Sequence, residues 1–113
     1  MSDCLFCRIV AGEVPGKKAH EDDDVLAFHD IAPAAPTHVL VVPKRHAATL
    51  DAMDEADVAA LFAGVRRAAK RLGLSAADGY RVVVNGGERA GQSVFHAHVH
   101  VLGDGWRSAT RQW

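Results

Sequence analysis

The sequence has little of what marks several protein classes. Only two of its 113 residues are cysteine, and no apolar run is long enough to cross a bilayer, so neither a disulfide scaffold nor a membrane-spanning protein is indicated. Its 13 basic and 14 acidic residues give a net charge of -1, so we expect neither nucleic acid nor a membrane surface as partner. Without repeats or low-complexity stretches, the length predicts a single domain over 1–113.

The two cysteines lie close together near the start of the chain. The residues from Met1 to Cys4 lack the basic start and the apolar run of a signal peptide, so we expect a cytoplasmic location. In that reducing compartment, Cys4 and Cys7 at Cys-x-x-Cys spacing are expected to be free thiols or half of a metal site.

Hydrophobic periodicity and turn residues divide the chain into two helices and five strands. A long helix follows the capping residue Asp54 and ends at Gly73, because apolar residues recur between them at the helical period. The other elements are predicted by short apolar runs between turns: a helix over 5–10 and strands over 18–21, 25–29, 38–43, 80–84 and 94–102. Two blocks of strands around one helix predict an α+β domain with a mainly antiparallel sheet.

Three of the seven histidines occupy every second position, at His96, His98 and His100. On an extended strand this spacing would place all three rings on one face. Imidazole acts as nucleophile, acid, base or metal ligand near neutral pH, so the row indicates chemistry, although a chance cluster in a histidine-rich chain is the alternative. A single metal ion shared by all three is disfavoured, because they would span too far along one strand.

The loop before this row is rich in glycine and in neutral donors. Its glycines allow backbone N–H groups to approach a phosphate, and its amide and hydroxyl side chains suit charge on phosphate oxygens; the residues of interest are Asn85, Gly91, Gln92 and Ser93. Most such loops are simple hairpin turns. Its position directly before the histidines favours phosphate binding.

Several separated segments together resemble the histidine triad family. The resemblance rests on His96-Ala97-His98-Val99-His100-Val101-Leu102, Gly91-Gln92-Ser93, Phe28-His29-Asp30-Ile31 and Pro36-Thr37-His38, and it extends from Cys4 to Gly103. The sequence is most similar to the Hint-type branch, which consists of nucleoside phosphoramidases. The resemblance implies a five-stranded antiparallel sheet with one long and one short helix, and a homodimer joined through the long helix and a central strand.

The resemblance also implies roles for individual residues. His98 would be the nucleophile that becomes covalently bonded to a nucleotide's α-phosphorus, with a backbone carbonyl holding its other nitrogen. His100 would bind phosphate oxygens, His38 and His96 would complete the histidine cluster, and Ser93 would help to protonate the leaving amine. In a purine nucleotide substrate, Asp30 would accept hydrogen bonds from the ribose hydroxyls. The base would contact apolar residues, for which an ordinary place in the core is the alternative: Phe6, Ile9, Phe28 and Ile31. We assign no chemistry to His29 and expect His20 to be exposed.

Two of the histidines could complete a metal site with the cysteines. Many bacterial members of the family complete a structural zinc site with a histidine in a Pro-Lys-x-His segment, here His46, and with the first triad histidine, His96. Together with Cys4 and Cys7 they would form a four-ligand set. The alternative is a pair of buried thiols with His46 at the surface.

The resemblance weakens after Gly103. The tail lacks the tryptophan-proline ending of Hint proteins, and neither Trp106 nor Trp113 aligns with it, so the leaving group stays open. A dinucleoside polyphosphate (Ap4A-type) hydrolase and a nucleotide-binding regulator with little turnover are therefore the alternatives to a phosphoramidase.

Overall fold

Five strands form one antiparallel sheet in the computed structural model, which describes residues 3–104. The strands are β1 (Lys18–Glu21), β2 (Val25–His29), β3 (Thr37–Pro43), β4 (Tyr80–Val83) and β5 (Val99–Gly103). Their spatial order is β1-β2-β3-β5-β4. Helix α1 (Leu5–Val10) precedes the sheet, and helix α2 (Glu55–Arg71) connects its two blocks. The predicted fold class and the five-stranded sheet are confirmed.

The two faces of the sheet bury different sets of side chains. On one face α2 packs against alternate residues of β2, β3 and β5, among them Val25, Val39 and Val101. On the other face α1 places Phe6 against Leu26, Phe28, Leu40 and Val42. Because strand residues alternate between faces, His100 lies on the face opposite the valines that contact α2. Within residues 3–104, neither helix has the length and apolar character needed to cross a bilayer.

Helix α2 has the ends that the sequence predicts. The carboxylate of Asp54 accepts a hydrogen bond from the backbone N–H of Asp57 at 2.8 Å, which caps the first turn. At the other end Gly73 adopts a φ of +75°, a left-handed conformation that favours glycine and ends the helix. The predicted bounds of the long helix are therefore confirmed.

The predicted strand over 94–102 is wrong in its first half. The ladder between β3 and β5 ends at the pair Val41 and Val99, and residues 94–98 are irregular. Pro43, two residues beyond Val41, has no N–H with which to continue the ladder. Ala97 instead donates its N–H to the carbonyl of Ala47 at 2.7 Å. The three histidines therefore do not share one extended strand, since only His100 lies in β5.

The expectation that His20 is exposed is also wrong. Its cross-strand partner Ala27 belongs to the core under α2, so the ring of His20 lies on that side of the sheet and is 8% exposed. Its Nε2 is 2.9 Å from an oxygen of Asp22, which also accepts from Arg67 of α2 at 3.1 Å. The ion pair between Asp22 and Arg67 thus connects the β1–β2 turn to α2.

Trp106 and Trp113, the two tryptophans of the tail, lie outside the described residues.

Candidate active site and metal centre

A pocket of about 770 Å³ opens on the face of the sheet that carries α1. Eight of the predicted site residues line it, and they come from α1, β2, the loops beside the sheet, and the histidine segment: Phe6, Ile9, Phe28, Asp30, Ile31, Ser93, His98 and His100. The sheet thus brings together residues from opposite ends of the chain. Such a concave, mainly apolar pocket with a few polar groups at one end is typical of a small-molecule site.

The apolar end of the pocket is built around two phenylalanines. The rings of Phe6 and Phe28 meet edge to face with centroids 5.4 Å apart, and both are almost fully buried. Ile31 stands at the rim with its side chain fully exposed. His29, which the sequence places beside the pocket residues without a chemical role, also lines the pocket. Sequence reasoning missed Lys17, another lining residue, because a lone cation beside a turn carries no distinctive pattern.

His98 lies at the junction of the apolar and polar ends. Its Nδ1 donates to the backbone carbonyl of His96 at 2.8 Å, so the lone pair of the neutral ring is on Nε2. The edge of Phe6 packs against this ring, with centroids 5.1 Å apart. Burial lowers the pKa of His98 below its ordinary value, while the His96 carbonyl and the charge of Asp30 oppose the change. His98 is thus a neutral imidazole in the pocket wall, and the His96 carbonyl fixes the orientation of its ring.

A second pair of histidines extends the polar end. Nε2 of His38 and Nδ1 of His100 are 2.9 Å apart, and the rings of His98 and His100 are neighbours with centroids separated by 5.1 Å. On its other side, Nδ1 of His38 accepts from the backbone N–H of Ala34 at 3.0 Å. His38 is almost fully buried, and His100 is partly open to the pocket.

Asp30 occupies the pocket edge between the apolar and polar ends. One of its oxygens accepts from the backbone N–H of Ala32 at 2.9 Å, and the other is 3.5 Å from Nε2 of His38. The backbone N–H of Asp30 donates to the carbonyl of His38 at 2.9 Å. These bonds hold the carboxylate at the wall, where it can accept hydrogen bonds from a ligand's hydroxyl groups.

The loop residues predicted to bind phosphate divide into two groups. Ser93 lines the pocket, whereas Asn85, Gly91 and Gln92 are not among the described residues that do so. The amide of Gln92 is buried and donates to the carbonyls of Ala48 and Val94 at 2.7 and 2.9 Å. Its oxygen accepts from the N–H of Gly87 at 2.8 Å. In this structure Gln92 therefore holds the loop in shape rather than offering its amide to a ligand.

Behind the pocket, Cys4, Cys7, His46 and His96 converge on one point. Their candidate ligand atoms all lie within 4.8 Å of one another. Nδ1 of His96 is 3.3 Å from Sγ of Cys4 and 3.2 Å from Nδ1 of His46, and Nδ1 of His46 is 3.3 Å from Sγ of Cys7. These separations suit four ligands around one tetrahedral ion. The cluster is a candidate metal centre.

The orientation of His96 supports ligation by the same ring. Nε2 donates to the carbonyl of Pro43 at 2.7 Å, so the neutral ring has its lone pair on Nδ1, which is directed at the thiols. Burial lowers the pKa of this fully buried ring, which also keeps it neutral. His96, His98 and His100 thus have different partners, and a single ion shared by the triad does not fit this arrangement.

Helix α1 connects the metal centre to the pocket. Cys4 caps the helix, since its sulfur accepts from the backbone N–H of Cys7 at 3.3 Å. Between them Phe6 reaches the pocket and contacts the rings of both His96 and His98. A ligand set built on α1 would therefore fix one wall of the pocket.

Comparison with known proteins places this arrangement in a family. Residues 11–105 match the model of the HIT domain. The chain is 40% identical over 106 residues to the protein HitA of Neisseria gonorrhoeae, covering 91% of this chain and 97% of that one. It is 42% identical over 106 residues to an uncharacterised HIT-like protein of Methanocaldococcus jannaschii, covering 90% and 82%.

Two solved structures share the fold over nearly the whole length. A histidine triad protein from Clostridium difficile superposes with a TM-score of 0.84 at 41% identity, covering 92% of each chain. A HIT family hydrolase from Legionella pneumophila gives a TM-score of 0.81 at 42% identity, covering 97% of this chain and 95% of that one. With the histidine cluster and the sheet in agreement, the chain belongs to the HIT, or histidine triad, family.

Proposed function

We propose that this protein is a hydrolase of purine nucleoside phosphoramidates, in which His98 attacks the α-phosphorus. The observation that carries the proposal is the hydrogen bond from Nδ1 of His98 to the His96 carbonyl, which leaves a lone pair on Nε2 of a ring in the pocket wall. A hydrolase from Legionella with the same fold supports the reaction class. The pocket supports the substrate class, because its apolar end suits a purine and Asp30 suits a ribose.

In the first step, Nε2 of His98 bonds to phosphorus and the P–N bond to the leaving amine breaks. The amine takes a proton, and we assign its delivery to the hydroxyl of Ser93 at the pocket wall. The imidazole then carries phosphorus on Nε2 and a proton on Nδ1, so it is positively charged. The His96 carbonyl at 2.8 Å stabilises that charge and keeps the ring in place.

In the second step, water attacks the same phosphorus and the bond from phosphorus to Nε2 breaks. The nucleoside monophosphate leaves, His98 is neutral again, and a proton from the water restores Ser93. His100 would donate to a phosphate oxygen in both steps, since it lines the pocket beside His98. Division into two displacements lowers each barrier, which is the advantage of a covalent intermediate.

The experiment that tests this reaction is direct observation of the adduct. Incubation with adenosine 5′-phosphoramidate, rapid acid-free quenching and peptide mass spectrometry should locate one adenylyl group on His98. His98→Ala should abolish the adduct and lower kcat/KM by about three orders of magnitude or more. Lys70→Ala, on the exposed face of α2, is the control and should retain both. An adduct on another residue, or turnover by His98→Ala at the wild-type rate, contradicts the proposal.

The same assay separates the alternatives. Diadenosine tetraphosphate offers a P–O leaving group to the same nucleophile, so faster turnover of this compound than of the phosphoramidate would identify an Ap4A-type hydrolase. Tight binding of AMP without turnover of either compound would identify a regulator. We favour the phosphoramidate because the Gly91-Gln92-Ser93 segment resembles the Hint-type branch.

The metal centre is proposed to hold structural zinc. Two thiolates and two imidazoles are the donor set that Zn²⁺ prefers, and the carbonyl of Pro43 fixes the His96 tautomer that ligation needs. When bound, zinc would cross-link α1 to the segment that carries the histidines. The site is behind the pocket, so we assign the ion no part in the chemical steps.

We propose a homodimer that pairs along β4, whose outer side no other strand among residues 3–104 covers. This edge strand exposes Tyr80 and Val82, each 40% exposed, and Val82 faces the side of α2 because it pairs with Val101 of the helix-covered core. A second copy pairing along β4 would cover them and make β4 central in a combined sheet. Val82→Glu should convert a dimer to a monomer in analytical ultracentrifugation, whereas Ala52→Glu, at an exposed site in a different segment, should not.

A further inference from the structure

The bonds around His38 form a directed chain of donors and acceptors. The backbone N–H of Ala34 points at Nδ1 of His38 at 3.0 Å. An amide N–H can only donate, so Nδ1 of His38 must be the acceptor and cannot carry a proton. The remaining proton of the neutral ring is then on Nε2.

The next bond follows from the first. Nε2 of His38 is 2.9 Å from Nδ1 of His100, and with its proton it is the donor of this pair. Nδ1 of His100 is therefore an acceptor, and the proton of the neutral His100 ring is on Nε2. The opposite direction would require a His38 ring with no proton at all, which is an imidazolate.

We propose that the backbone N–H of Ala34, acting through His38, sets the tautomer of His100 so that this ring offers an N–H donor to an anionic oxygen of the ligand. Ala34 and His38 are then positioning groups, and His100 is the group that touches the ligand. His98 has the opposite tautomer, because a carbonyl rather than an N–H faces its Nδ1. Two adjacent rings in one pocket thus present a lone pair and a donor, which is the pair of functions that attack on a phosphoryl group requires.

The chain of bonds has a second consequence for Asp30, His38 and His100. Their candidate ligand atoms also lie within 4.8 Å of one another, as in a metal site. Metal binding at Nε2 of His38 would need a lone pair there and would turn a proton on Nδ1 toward the N–H of Ala34. The tautomer set by Ala34 therefore favours anion binding over a cation at this end of the pocket.

The loop that presents Ala34 is fastened on both sides. The N–H of Asp30 donates to the carbonyl of His38, and the N–H of Ala32 donates to the side chain of Asp30. Pro33 and Pro36 flank the segment and restrict its backbone. The amide of Ala34 is thus held in place by bonds that do not involve the ligand.

The tautomers can be read directly by long-range proton–nitrogen correlation NMR of the labelled wild-type protein at neutral pH. We expect His38 and His100 with the proton on Nε2, and His98 with the proton on Nδ1. A spectrum with His100 protonated on Nδ1, or with His38 protonated on Nδ1, overturns the proposal. This measurement uses no nucleotide, so it stands even if the proposed phosphoramidase activity is absent.

The role of the amide is tested by replacing residue 34 with L-lactic acid, which converts its N–H to an ester oxygen and leaves the methyl group. We expect both His38 and His100 to shift toward the Nδ1 tautomer, and the ratio of AMP affinity to adenosine affinity to fall about tenfold or more. Lactic acid at Ala35 changes the backbone equally and should leave the spectrum and the ratio unchanged.

Unchanged tautomers in the residue-34 ester overturn the proposal, and so does an unchanged ratio in a protein that binds AMP. The ligand readout rests on the proposed nucleotide pocket, whereas the spectral readout does not. If the wild type fails to bind AMP while the tautomers shift as expected, the proposed function fails and the control of His100 by Ala34 is retained.

Discussion

Replacement of Gly64 by alanine tests how closely α2 approaches the sheet. Helix propensity alone predicts a gain, since alanine in a helix interior is favoured over glycine by about 1 kcal/mol. The tertiary structure predicts a loss. A Cβ on Gly64 would lie 2.5 Å from Cγ2 and 3.0 Å from Cγ1 of Val25, and Val25 is fully buried.

The size of the loss in stability follows from how far the new Cβ and the methyl groups of Val25 must move apart. An ordinary carbon–carbon contact begins near 3.5 Å, so α2 must move away from β2 by about 1 Å, because the branched side chain of Val25 has no open space to enter. The movement would loosen the contacts of Leu61, Val65 and Ala68, which are all buried. Overpacking of this kind costs about 2 to 3 kcal/mol, so the net loss is about 1 to 2 kcal/mol.

The assay is urea unfolding followed by circular dichroism at a fixed protein concentration. Gly64→Ala should lower the midpoint with an unchanged slope. Gly73→Ala is the matched comparison, because nothing lies within 4 Å of its Cβ position and its cost comes only from a φ of +75°. A Gly64→Ala protein that is more stable than the wild type would refute the close approach of α2.

Three further predictions concern the metal, the pH dependence of stability and the pH dependence of the reaction. Cys7→Ser should reduce bound zinc, measured by plasma mass spectrometry, from about one ion per chain to less than a tenth, and should lower the melting temperature of the metal-loaded protein. Burial raises the pKa of Asp22, but the hydrogen bonds that its carboxylate accepts together outweigh this effect and lower the pKa from 3.8 to about 2. The donors are His20, the backbone N–H groups of Asp24 and Val25, and Arg67. Its contribution to stability is therefore complete above pH 3.8 and is lost toward pH 2, so Asp22→Asn should cost about 1 kcal/mol in urea unfolding at pH 7 and progressively less below pH 3.8. Because burial lowers the pKa of His98 below its ordinary value of 6.5, the loss of adduct formation on acidification, measured in single-turnover experiments, should be centred below pH 6.5; a loss centred above 6.5 contradicts the burial argument.

Much of the fold is readable in the sequence because its causes are local. The cap of α2 at Asp54, its end at Gly73 and the bounds of α1, β1 and β2 depend on residues within a few positions of one another. The opposite placement of His100 and Val101 likewise follows from the alternation of side chains along a strand. The first thiol of the Cys-x-x-Cys pair also has a local role, since the sulfur of Cys4 caps α1.

The surroundings of the three triad histidines depend on contacts that are distant in the chain. Pro43 ends the ladder before His98, and its carbonyl then turns His96 toward Cys4, which is 92 residues away in sequence. The partners of His98 and His38 are a carbonyl and an N–H, groups that every residue type carries and that leave no mark in a sequence. The repeat of histidine at every second position could therefore locate the three rings in the sequence. Only the tertiary structure decided that His96 faces the thiols, that His98 has its lone pair on Nε2, and that a backbone amide sets the tautomer of His100 through His38.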